Sequence, residues 1–113
     1  MAKSPFVFRK VYPFTWTVKV PDGPVPAFEF RAKFVGLTQS RMDEIVKQYP
    51  STSDIMLARE AFTGWVEGDL VTEDGQPLLD STENVNAVLD ITWMRTPIVG
   101  AFLQAMSGLA AKN

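Results

Sequence analysis

The sequence predicts one α+β domain, an N-terminal antiparallel β-hairpin or small sheet packed against about four short helices, of which the C-terminal one is strongly apolar. Three observations predict it. Apolar and polar residues alternate from Phe14 to Phe34, and apolar residues then recur at helical spacing from residue 38 onward. At 113 residues, with 46% hydrophobic and 21% charged content, the chain has material for one modest core.

The β-rich part spans residues 1–37. Phe14, Trp16, Val18 and Val20 alternate with Thr15, Thr17 and Lys19, and Phe28, Phe30, Ala32 and Phe34 alternate with Glu29, Arg31 and Lys33. Such a period of two marks half-buried strands. Pro21-Asp22-Gly23-Pro24-Val25-Pro26 between them is a turn. Phe6 to Val11 is expected to add a short strand, with Pro13 breaking or bulging the connection.

A helical pair is expected over residues 38–63. Thr38 or Ser40 caps a helix with Met42, Ile45, Val46 and Tyr49 as its stripe and Asp43 and Lys47 as a surface pair, and Pro50 closes it. A fresh cap at Ser51 to Ser53 starts a second helix, in which Ile55, Ala58 or Arg59, and Phe62 recur at helical spacing before Gly64 stops the run.

Residues 64–80 read as an acidic loop. Trp65-Val66 and Asp69-Leu70-Val71 suit extended backbone, and Glu73-Asp74-Gly75-Gln76-Pro77 is a strong turn. The run fails as a calcium loop, since Val71 falls where a third-position oxygen ligand would be needed after Asp69.

The remaining helical part covers residues 81–109, with 110–113 as a tail and fraying expected from Leu109. Ser81 caps a helix through Leu89, carrying Glu83 in its first turn. The last helix starts after Thr92 or Thr96, the second option placing Pro97 at the first helical position. Met94, Ile98, Ala101, Phe102, Ala105 and Leu109 make its main stripe, while Val99 and Leu103 add a second apolar strip and leave Gly100, Gln104 and Ser107 as a thin polar face. Burial on two sides follows, either in the interior or partly against another chain.

Composition narrows the chemistry. With no histidine and no cysteine, the chain lacks the usual general base near neutral pH, the commonest metal ligand and any thiolate or disulfide. No catalytic residues, metal site or cofactor are therefore expected. An enzyme would need a carboxylate or lysine mechanism, yet Asp69, Glu73, Asp74 and Asp80 lie in apparent loops with no lysine beside them. No apolar run approaches the ~20 residues that span a bilayer, and Arg9, Lys10 and Pro13 interrupt any signal-peptide core. The expected location is the cytoplasm, with no membrane partner.

The net charge of −2 combines unlike halves: residues 1–59 carry nine basic against five acidic residues, and residues 60–113 carry two against eight. Such a split is either simple solvation or an orienting device for head-to-tail contact between copies. Lys19, Arg31 and Lys33 share their strand register with Glu29, which makes a thin basic patch on an acidic chain, and no basic recognition helix is present. No nucleic-acid partner is expected.

From about Phe28 onward the order of elements resembles the tail assembly chaperones of long-tailed bacteriophages and prophages, the lambda-like family. The residues that carry this are Phe34-Val35-Gly36-Leu37-Thr38, a helix, Gly64-Trp65, Asp74-Gly75-Gln76-Pro77, a short helix, and Asp90-Ile91-Thr92-Trp93 leading into an apolar helix. The resemblance implies a noncatalytic protein of the host cytoplasm that keeps the tape measure protein soluble, promotes tail tube assembly, brings the major tail protein to it, self-associates and is absent from the mature virion. It also implies a longer product made by translational frameshifting, and Ala111-Lys112-Asn113 is a tripeptide that slippery codons can encode. A structural virion component, such as a tail terminator or head–tail adaptor, is the alternative.

A chaperone needs apolar anchors within a polar rim. Trp65, Trp93, Met94, Phe102 and Met106 are the partner-binding candidates, aromatic or adaptable thioether residues that also have a plain reading as core.

Overall fold

A computed structural model describes residues 11–108. It has an α+β fold in which a three-stranded antiparallel sheet carries four helices, in the order β1 (Pro13–Val20), β2 (Phe28–Val35), α1 (Gln39–Gln48), α2 (Ser53–Ala61), β3 (Phe62–Trp65), α3 (Thr82–Leu89) and α4 (Thr92–Ser107). The sheet order is β1-β2-β3. The proposed strand from Phe6 to Val11 falls outside the described residues except for Val11, as does the tail from Leu109.

Alternation decides which face of the sheet is covered. Val18, Val20, Phe30, Ala32 and Phe34 are buried beneath the helices, whereas Thr15, Thr17, Lys19, Glu29, Arg31 and Lys33 are exposed on the opposite face. β1 and β2 pair without interruption from Pro13↔Val35 to Val20↔Phe28. Pro13 therefore begins the strand instead of breaking it. The connecting turn is tied by Ala27 N–H donating to Asp22 Oδ1 at 2.6 Å.

The strand β3 is a correction to the helical reading of Phe62 and to the loop reading of Gly64 and Trp65. α2 ends at Ala61, and Phe62 pairs with Phe34 while Trp65 pairs with Ala32. The register shifts between Lys33 and Phe34, and Thr63 Oγ1 donates to the Lys33 carbonyl at 3.1 Å. Burial drives the choice. Phe62 and Trp65 are 2% and 1% exposed, and their rings lie 6.0 Å apart, with Phe34 5.8 Å from Phe62 and 5.6 Å from Phe102.

Helix ends follow local chemistry in part. Thr38 Oγ1 accepts from Arg41 N–H at 3.1 Å, and Ser81 Oγ accepts from Asn84 N–H at 3.2 Å. Each is an N-cap of the expected kind. Thr52 precedes α2 without a side-chain cap bond. The expected Asp43–Lys47 contact gives way to Gln39 Nε2 donating to Asp43 at 2.9 Å, and α1 is joined to α2 by Arg41, whose Nε and Nη2 donate to Glu60 at 2.6 and 2.7 Å. That fork lowers the Glu60 pKa.

α4 starts at Thr92, so Pro97 lies inside it. Proline there forgoes one backbone hydrogen bond, but the earlier start places Met94, Ile98, Ala101 and Phe102 on one buried stripe. Gly108 ends the helix at φ 69°, a left-handed conformation that glycine adopts without steric cost.

Residues 66–80 are more ordered than a solvated loop. Val66 N–H donates to the Arg31 carbonyl, Leu78 N–H donates to that of Leu70, and Val71 bridges Pro77 around the Glu73–Gln76 turn. The acidic segment folds back on the basic sheet. Asp69 takes Arg31 N–H, Nε and Nη2 at 2.8, 2.9 and 2.7 Å, and Asp80 lies 3.7 Å from Lys33 Nζ.

Candidate functional site

The second apolar strip of α4 is only partly covered by the core. Val99, Leu103 and Met106 recur at the i, i+4, i+7 spacing of one helix face, and they line an open groove with Met42 and Val46 of α1 and Leu57 of α2. Its volume is about 510 Å³, within the range of preformed binding clefts. Val46 is 50% and Leu103 45% exposed, so each leaves a large apolar side chain in water on facing walls.

The geometry explains why two walls form. α1 turns its Ile45 into the interior, and the adjacent Met42 and Val46, four residues apart, are left along the groove. Arg41 and Glu60 hold α1 against α2. α4 meanwhile commits Met94, Ile98, Ala101 and Phe102 to the core. A helix apolar nearly all round thereby has one side packed and one side open.

The charged residues lining the groove are both acidic. Asp43 accepts from Gln39, and Asp54 lies 3.5 Å from Arg95 Nε. The pair is an ionic contact without a hydrogen bond: Arg95 Nε is buried without a hydrogen-bond partner, while Nη1 donates to the Leu89 carbonyl at 3.1 Å. An apolar floor with thioethers and carboxylates at its margin can receive an amphipathic helix whose apolar stripe is flanked by basic residues.

Four of the five expected anchors lie outside the groove, three of them in the core. Trp65 is 1% exposed and its Nε1 donates to the Leu78 carbonyl at 2.8 Å, Met94 is 5% exposed, and Phe102 is 2% exposed against Phe14 and Phe34. These are core residues: Trp65 belongs to β3, and Met94 and Phe102 lie on the buried stripe of α4. Trp93 is half-buried against the core and does not line the groove. Met106 alone of the five does.

Sequence reasoning did not single out Met42, Val46 and Leu57 as lining an open groove, and it weighed the strip of Val99 and Leu103 for another chain without naming either as a candidate residue. The signal was there for two of them, since Val99 and Leu103 stand off the main stripe of α4. Met42 and Val46 carried no such signal, because a single helical stripe does not reveal which of its members packs inward. Among the described residues, no cluster of three or more acidic side chains is placed to hold a metal ion, and no helix is long and apolar enough to cross a membrane. Compared with known proteins, the chain matches no family model, no curated sequence and no solved structure.

Proposed function

We propose that this chain is a noncatalytic assembly chaperone of a long-tailed bacteriophage, and that its groove holds an amphipathic helical segment of the tape measure protein. The observation that carries the reading is the pair of facing, half-exposed apolar walls around Leu103 and Val46. A long helical client presents many similar segments, so several copies binding weakly along it suffice to keep it soluble. In this reading the chain works in the host cytoplasm, brings the major tail protein to the client and is left out of the finished virion.

Coexpression with the tape measure protein encoded in the same genome tests this. The wild-type chain is expected to keep the client soluble, and Leu103→Glu to abolish that while retaining its own circular dichroism, since the residue is already half in water. A loss of about 1–3 kcal/mol in client affinity is the scale expected for a central anchor. A client that stays insoluble with the wild-type chain contradicts the proposal. Recovery of the chain as a fixed component of purified virions would instead support a tail terminator or head–tail adaptor.

A further inference from the structure

With no cysteine in the chain, its five methionines hold all of its sulfur. Thioethers are common targets of oxidants, and solvent access decides which of them react first. Met1 lies outside the described residues. Of the other four, Met94 is 5% exposed in the core, while Met42, Met56 and Met106 are half-buried. Two of those three share one surface, since Met42 and Met106 line the groove and Met56 does not.

Their places on the two walls matter more than their number. Met42 lies one helical turn before Val46 on α1, and Met106 one turn after Leu103 on α4, so each thioether adjoins a large apolar side chain left in water. An apolar client stripe that covers Val46 and Leu103 therefore reaches both methionines. A thioether suits that contact, being apolar and adaptable. A sulfoxide does not. Its oxygen is a polar acceptor that loses water when covered, and the groove offers few donors in exchange. Asp43 and Asp54 only accept, Gln39 Nε2 already donates to Asp43 at 2.9 Å, and Ser107 Oγ donates to the Gln104 carbonyl at 2.9 Å.

We propose that Met42 and Met106 form an oxidation site through which a peroxide shuts the groove to its client. The inference rests on the groove being the client's binding face. At each methionine a sulfur lone pair attacks one peroxide oxygen, and the S–O bond forms as the O–O bond breaks. The proton on the transferred oxygen passes to the departing hydroxide, which leaves as water. Sulfur is oxidised by two electrons, the peroxide is reduced by two, and a flexible apolar side chain becomes a polar one. A client seated in the groove shields the two sulfurs in turn, so loaded copies react more slowly than empty ones.

Treating the full chain with hydrogen peroxide and measuring each sulfoxide by mass spectrometry tests the site. Met42 and Met106 are expected to oxidise while Met94 stays reduced and the circular dichroism is kept, and a basic amphipathic peptide from the tape measure protein is expected to slow both. The oxidised chain is expected to bind that peptide about tenfold more weakly, and methionine sulfoxide reductases to restore the affinity. Met56→Leu should leave this loss unchanged, since residue 56 is outside the groove. Met42→Leu combined with Met106→Leu should make the affinity, whatever its starting value, insensitive to peroxide. Met94 oxidising as fast as Met42 and Met106, or an oxidised wild-type chain that binds as tightly as before, overturns the inference alone. An unoxidised wild-type chain that does not bind the peptide overturns the groove reading, and this inference with it.

Discussion

Gly64 has a role that its position beside Trp65 did not reveal. A Cβ added there would sit on the Asp80 carboxylate, 2.8 Å from its Cγ, and Asp80 is the residue that accepts from Trp65 N–H and faces Lys33. Gly64→Ala must push the 78–80 segment away from β3. A loss of about 1–3 kcal/mol is expected, as for overpacking generally, and a thermal melt measures it. Asp80→Ala added to Gly64→Ala should cost less than the sum of the two single changes, because the clash and the contact involve the same side chain. At this scale the sequence was informative about type and silent about pairing. Trp65 was legible as important, but its burial is decided by Phe62 and Leu78, which only the folded chain brings to it.

Elements whose signals are local were readable: Ser81 and Leu89 bound α3 where expected, and the hairpin alternation of β1 and β2 holds residue by residue. β3 was not readable, because Phe62 fits a helical period as well as a strand and only β2 beside it makes four residues extended. Its end depends on Asp69, which substitutes a carboxylate for the strand that would otherwise take Arg31 N–H. Three hydrogen bonds from Arg31 hold the Asp69 pKa at about 2, below the ordinary value of about 3.9. A folded-state value lower than the unfolded one gives stability that is fully present above the unfolded pKa and is lost as pH falls through the folded one. Asp69→Asn should therefore be less stable than wild type by a constant margin from neutral pH down to about 5, and the margin should shrink between about pH 4 and pH 2. Denaturant titrations across that range check it, and a margin that stays constant to pH 2 contradicts the assigned role.

For the whole molecule, part of the unequal charge of the two halves is met within the chain. Arg31 meets Asp69, Lys33 meets Asp80, Arg41 meets Glu60 and Arg95 lies near Asp54, which joins residues far apart in sequence. The groove of α1, α2 and α4 takes no part in these pairings beyond Asp54. The groove's existence was half legible in the two-sided apolarity of α4, and its opposite wall was not, because Met42 and Val46 become a surface only when Ile45 takes the interior. The most direct test of the proposed function is to titrate a basic amphipathic peptide from the tape measure protein into the methyl-labelled chain and follow the chemical shifts. Shifts concentrated on Met42, Val46, Leu57, Val99, Leu103 and Met106 are predicted, while binding that moves only methyls outside the groove, such as those of Val71 and Leu79, or no binding at all, would contradict it.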